Sequence, residues 1–170
     1  PILEKEPLKS NSIYGASKIL AESLCEGYAQ IYGLNITILR FFSIYGPNSP
    51  NHNIIFNIIK QQLRSSKITI GNRKPKRDFV YVDDVINAIK LVSKNQKGFD
   101  ILNVGSGKSF SIEYICKKIA KISKKKQNIV TDNKKVRKND IPEIRCSYNR
   151  IKKIHDWKPK ISINSGLTKT

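Results

Sequence analysis

The sequence predicts an α/β fold, on three observations. Helical and strand-like segments alternate along the 170 residues. The run NITILRFF, directly after the longest helical segment, is β-branched and apolar without alternation, the pattern of a parallel strand covered on both faces. Gly and Pro punctuate the ends of these runs, and no internal repeat or low-complexity linker interrupts the order.

Taken in order, residues 1–11 (PILEKEPLKSN) hold two prolines and little periodicity, which predicts a loop. From Ile13 to Tyr32 the apolar positions Ala16, Leu20, Leu24, Tyr28 and Ile31 recur every three or four residues as one helical stripe, and Gly33 stops it. NITILRFF at 35–42 predicts a strand, ended by YGPNSPN at 45–51. IIFNIIKQQLR at 54–64 fits a helix, followed by a short strand KITI and a turn at GNRKPK. DFVYV is a strand, and DDVINAIKLVSK a helix opened by carboxylates at its positive end. DILNVGSG is a strand running into a glycine turn, and SIEYICKKIAKI a helix with Ser111 as N-cap. The tail from Val136 reads as irregular, with a short helix near 149–155 and WKPK beyond it. The second half therefore packs as shorter, mixed elements.

A chain of 170 residues can build one domain with a real core. No window approaches the roughly 20 apolar residues that span a bilayer, and no basic stretch leads into an apolar run at the N-terminus, so the expectation is a soluble cytoplasmic protein without a membrane partner. Cys25, Cys116 and Cys146 are far apart and odd in number, which predicts reduced thiols and no disulfide framework. His52 and His155 stand alone, so no metal site is expected. The net charge of +19 is the footprint of a polyanion binder, yet the lysines are spread along the chain with isoleucine and asparagine, a pattern codon bias produces unaided. The densest run, KKIAKISKKK at 117–126, lacks aromatic stacking residues and reads as the solvated face and C-terminal end of a helix, so nucleic acid is not the expected partner.

The chemistry is carried by YGASK at 14–18. A phenol with a pKa near 10 is a poor base at neutral pH unless a cation stabilises the phenolate. Lys18, one helical turn along on the same face, can supply that cation. By itself the pair is a weak signal, and one exposed turn of an amphipathic helix explains it equally well. Three further stretches follow in order: RFFSIYGP at 40–47, RDFVYVDDV at 77–85 and NVGSGKSFSI at 103–112, with a closing DW-KP tail. Together they resemble the C-terminal half of the extended short-chain dehydrogenase/reductase family, the NAD-dependent nucleotide-sugar epimerases and dehydratases, over roughly residues 1–167.

The resemblance implies the C-terminal part of a Rossmann-like parallel sheet plus a small mixed α/β substrate-binding domain. About residues 1–50 would belong to the NAD-binding part, interleaved with a mainly substrate-binding part at about 51–170. It implies Tyr14 as the base and Lys18 as its activator and clamp on the nicotinamide ribose. Phe41 and Phe42 would line the nicotinamide site, while Ser43 stands where relatives commonly place an asparagine on the sugar-nucleotide phosphate. Arg77 would hold the diphosphate through its guanidinium fork, the bland reading being a surface salt bridge with Asp78. VRKNDIPE implies Arg137 on the diphosphate and Asp140 on the nucleoside ribose, with Lys138 as a rival register, and Asn53 on the diphosphate by its side chain or adjoining backbone. Ser147 replaces a usual aspartate and is expected to cap the short helix after it. NVGSGK matches neither a P-loop nor the dinucleotide fingerprint and is expected to be structural.

The implied activity is that of UDP-glucose 4-epimerase: oxidation at sugar C4 with NAD as cofactor, rotation of the keto-sugar, and hydride return. A 4,6-dehydratase is the alternative within the family, and a non-catalytic basic remnant binding an acidic partner the alternative outside it. The glycine-rich dinucleotide turn and the catalytic serine or threonine of the family lie upstream of YxxxK and are not among these residues, so the chain alone is expected to be inactive. Full-length relatives dimerise through a four-helix bundle, and the helix over 13–32 resembles one of its members, which implies a homodimer.

Overall fold

The computed structural model describes residues 1–10, 12–136 and 140–170. In chain order its elements are α1 (Ile13–Tyr32), β1 (Ile36–Phe41), β2 (Ser43–Tyr45), α2 (Ile54–Arg64), β3 (Lys67–Ile70), β4 (Lys76–Tyr81) and α3 (Val82–Val92). There follow β5 (Phe99–Val104), β6 (Ser109–Ser111), α4 (Ile112–Ser123), β7 (Asn128–Thr131), a 3-10 turn at Asn133–Lys135, β8 (Glu143–Ile144), α5 (Asn149–His155) and α6 (Ile163–Lys169). The mixed α/β class and the parallel pairing agree with the sequence reading.

The predicted strand over 35–42 is β1, and a strand the sequence did not predict, β2, follows it directly in another sheet. Strand β1 runs parallel to β5, and the Phe42 amide makes a last bond across to the Val104 carbonyl at 3.0 Å. From Ser43 the chain pairs instead with β4, as the parallel strand β2. Strand β4 also pairs antiparallel with β6 and parallel with β8, while β3 and β7 form a separate parallel pair. The sequence did not predict β2, β6, β7, β8 or α6; these four strands are only 3, 3, 4 and 2 residues long, too short for a two-residue period to register.

Strand β4 joins the two halves of the molecule. Neighbouring side chains on a strand point to opposite faces, so Phe79 and Tyr81 enter a core with Ile55, Ile58, Ile68 and Ile115, while Val80 enters another with Val85, Leu102, Val104 and Trp157. Ser111 caps α4 as predicted, its hydroxyl accepting from the Tyr114 amide. Asp83 and Asp84 both sit in the first turn of α3, but Asp84 is buried and turns to the tail. Its two carboxylate oxygens accept from the Lys160 and Ile161 amides, both at 3.0 Å, and its carbonyl accepts from Trp157 Nε1 at 3.1 Å. Ser147 does not cap α5: that helix begins after Tyr148 without a side-chain cap, and Ser147 is buried beside it. The N-terminal loop is fastened by a parallel bridge between Ile2 and Cys146 and by Asn103, whose amide and Nδ2 donate to Glu4 Oε1 and the Ile2 carbonyl.

Helix α1 has the predicted bounds, from the Ser12 cap to Gly33 at φ 64°. Its apolar stripe does not face the core. Leu20, Leu24, Tyr28 and Ile31 are all exposed, and Ala29 is the buried residue of the helix. Among the described residues no helix is long and apolar enough to cross a membrane.

Candidate functional site

The first turns of α1 present Tyr14 and Lys18 on one face, with Lys18 Nζ 5.4 Å from the Tyr14 ring centroid. The phenol is open to solvent. Both side chains line a cleft of about 560 Å³ whose opposite wall comes from β1, with Arg40 and Phe41. Strand and helix are tied there by one ion pair. Arg40 donates through Nε to Glu22 Oε1 at 2.9 Å and through Nη2 to Glu22 Oε2 at 2.6 Å. Its Nη1 donates to the Glu4 carbonyl at 2.9 Å, closing the third side of the guanidinium. The Glu22 hydrogen bonds raise the Arg40 pKa further above the usual arginine range, against the opposing effect of burial.

Arg40 and Phe41 also belong to a second cleft, of about 600 Å³, which adds Phe42, Ser43 and Arg77. It lies at the carboxyl ends of β1 and β5, where the chain leaves one sheet for the other at Phe42; open α/β sheets bind ligands at such places. Arg77 in turn is shared with a third cleft, of about 470 Å³, lined by Asp140, His52, Thr69, Gly71 and Lys135. Its guanidinium is paired with the Asp140 carboxylate and donates from Nη1 to the Lys76 and Ile141 carbonyls, both at 2.8 Å.

Asp78 is not the partner of Arg77. It points to the other face of β4, fully buried, and fastens the glycine turn after β5. Oδ1 accepts from the Ser106 amide at 2.7 Å and its hydroxyl at 2.6 Å; Oδ2 accepts from the Gly107 amide at 2.8 Å and the Cys146 amide at 3.0 Å. Burial pushes the Asp78 carboxyl above the usual carboxylate range, with these four bonds working against it. The turn itself is tightly packed: Gly107 has φ 72°, and a Cβ there would meet the Tyr148 ring at 2.7 Å.

Of the residues singled out from sequence, the structure gathers Tyr14, Lys18 and Phe41 on one cleft, Phe41, Phe42, Ser43 and Arg77 on the next, and Arg77 with Asp140 on the third. Asn53 stands aside: its Oδ1 accepts from the Ile55 and Phe56 amides as the cap of α2, and its Nδ2 donates to the Ile44 carbonyl at 2.8 Å. Its neighbours His52 and Ile54 line the third cleft. Arg137 and Lys138 lie outside the described residues. Sequence reasoning missed Glu22 and Arg40, although Glu22 is one helical turn beyond Lys18 and Arg40 opens the RFFSIYGP stretch. It also missed Gly71, where a Cβ would meet the Lys135 carbonyl oxygen at 2.4 Å.

With this geometry in place, comparison with known proteins is decisive. The family model described as GDP-mannose 4,6 dehydratase matches residues 1–170. The chain belongs to that family of nucleotide-sugar enzymes. UDP-glucuronate 4-epimerase of Thermodesulfobacterium geofontis is 34% identical over 161 residues, covering 94% of this chain and 49% of that protein. Among solved structures, RMD from Pseudomonas aeruginosa complexed with NADPH superposes with a TM-score of 0.93 at 27% identity, covering 99% of this chain and 58% of the other. The UDP-glucose 4-epimerase of Thermus thermophilus in complex with NAD gives a TM-score of 0.87 at 26% identity, covering 99% and 58%. The chain thus spans about half the length of the curated relatives it matches.

Proposed function

We propose that this chain supplies the proton-transfer pair and the nucleotide-sugar groove of an NAD-dependent nucleotide-sugar epimerase, most like UDP-glucose 4-epimerase. One observation carries the reading: three clefts run in series from the Tyr14–Lys18 pair past Phe41, Phe42 and Ser43 to Arg77 and Asp140, each sharing a wall with the next. An extended ligand with a sugar at one end and a diphosphate-linked nucleoside at the other matches that series. Phe41 and the open face of Lys18 fit the nicotinamide and ribose of NAD, which when bound supplies the hydride acceptor and donor for the sugar C4.

Tyr14 takes the proton of the sugar hydroxyl, and Lys18 stabilises the resulting phenolate. Ser43 offers one hydroxyl toward the phosphate, and Arg77, its guanidinium held by Asp140 and two carbonyls, supplies positive charge beside it. Asn53 helps from behind, by fixing the start of α2 so that His52 and Ile54 face the groove. Asp140, beside Arg77, accepts from ribose hydroxyls in this reading. In the complete protein a second subunit is proposed to cover the exposed stripe of α1, giving a homodimer.

The experiment is Tyr14→Phe in the complete protein with UDP-glucose. Conversion to UDP-galactose is expected to vanish while NAD binding is retained, and undiminished turnover would remove Tyr14 from the reaction. A 4,6-dehydratase is the second reading, favoured by the description of the matching family model. A 4-keto-6-deoxy product in the same assay would decide for it.

A further inference from the structure

We propose that Arg40 decides the partner of Lys18 by keeping Glu22 occupied, which makes the Glu22–Arg40 pair a positioning device for the Tyr14–Lys18 pair. The role in catalysis rests on the function proposed above; the structural claim does not. On α1, Lys18 and Glu22 are four residues apart. Opposite charges at that spacing meet on a helix surface and attract, less strongly when the lysine precedes the acid, as here. The same spacing, in the favoured order with the acid first, forms a pair in α4, where Lys117 reaches Glu113 at 2.8 Å. Left to that default, Lys18 would be drawn one turn along the helix, away from the phenol.

Among the described residues no Lys18–Glu22 pair is formed, and Lys18 lies over the Tyr14 ring instead. The reason is at the other end. Both Glu22 oxygens are taken by the Arg40 fork, in a pair whose side chains are each 18% exposed. A planar fork making two charge-assisted bonds outcompetes a single mobile ammonium for one carboxylate. The Glu4 carbonyl on Nη1 holds the fork in that orientation. Arg40 therefore neutralises the one acidic side chain that, among the described residues, lines the cleft with Tyr14 and Lys18, and it does so from the strand that also bears Phe41. Helix and strand are thereby set in register across the cleft by the contact that leaves Lys18 to the phenol.

The test is made on the complete protein labelled with ¹³C at the lysine ε carbon, without added nucleotide or sugar. The Lys18 ε-methylene protons, identified by their loss in Lys18→Arg, are expected upfield because Lys18 Nζ lies 5.4 Å from the Tyr14 ring centroid. In Arg40→Gln the bare Glu22 carboxylate is expected to draw Lys18 away, moving the signal to the position of an ordinary solvated lysine. In the double variant Glu22→Gln/Arg40→Gln the competitor is gone, and the upfield signal is expected to return. A purely structural role for Arg40 would not be rescued by a second substitution. Arg40→Lys, which keeps the charge but lacks the fork, gives an intermediate shift and serves if Arg40→Gln does not fold. A signal unmoved in the single variants, or not restored in the double, overturns the proposal. Since no reaction is monitored, its failure is separate from a failure of the Tyr14→Phe assay.

Discussion

Replacing Asp78 with Asn tests how the site is held. The carboxylate accepts two bonds on each oxygen, from three backbone amides and one hydroxyl, in a fully buried position. Asparagine has the same shape but only one acceptor oxygen. If its amide nitrogen takes the place of Oδ2, the Gly107 and Cys146 amides both face a donor. If it takes the place of Oδ1, only the Ser106 amide is orphaned, because the Ser106 hydroxyl can rotate and accept. The second arrangement is the cheaper. One buried unsatisfied amide costs about 1–3 kcal/mol, and the two remaining bonds lose the assistance of the charge, roughly 0.5 kcal/mol each. The expected loss is about 3 kcal/mol, a large share of the roughly 5–15 kcal/mol typical of a domain. It is measured as the change in unfolding free energy in urea, with exposed Asp83→Asn as a control expected to cost less than about 1 kcal/mol. A loss below about 1 kcal/mol for Asp78→Asn would refute the reasoning, since the donors would then have found other acceptors.

Two further outcomes follow from the packing. Cys116 and Cys146 are buried, and burial is the main cause that pushes both thiols up, Cys116 to about 12 and Cys146 further, with Asp78 adding to the latter. A folded-state pKa above the unfolded value near 8.5 means that this contribution is fully present below about pH 8 and is lost as the pH rises toward 12. The urea midpoint should therefore fall from about pH 8 to about pH 10 by the equivalent of about 2 kcal/mol per thiol, and Cys116→Ala should remove about half of the fall; a midpoint independent of pH would contradict it. Gly71→Ala places a Cβ 2.4 Å from the Lys135 carbonyl oxygen and should cost about 1–3 kcal/mol in the same assay. Gly27→Ala, with nothing within 4 Å of its new Cβ, should instead stabilise α1 by up to about 1 kcal/mol, and equal effects at the two glycines would show that the close approach at Gly71 is not real.

What was legible in the sequence was whatever repeats along the chain. Helices of 11 to 20 residues show their period and their caps, so α1, α2, α3 and α4 appear within a residue or two of their predicted bounds. The order of YGASK, RFFSIYGP and RDF likewise pointed to groups that line adjoining clefts. What was not legible depends on partners distant in sequence. Nothing local says that the strand after α1 changes sheets at Phe42, because that break is set by where β5 ends and β4 begins. Asp78 and Asp140 show the same limit at the level of charge. The bland alternative for Arg77 was a salt bridge with its sequence neighbour Asp78, yet strand alternation turns the two apart, and Asp140, 63 residues on, makes the pair.

Helix α1 shows why a correct periodicity can still mislead about burial. A regular apolar stripe is normally read as the core-facing side. Here the side turned to β1 is built from small or polar residues, Glu22, Cys25 and Ala29, while Leu20, Leu24, Tyr28 and Ile31 point away. The stripe from Ala16 to Ile31 is about 22 Å long at roughly 1.5 Å per residue, a contiguous apolar surface of the kind that marks an interaction site. Little apolar area thus fastens α1 to its own strand, and its placement falls to the Arg40–Glu22 pair. That division of labour has a functional logic. A helix clamped by a bidentate ion pair holds its first turns across the cleft from Phe41, and its apolar outer face stays exposed.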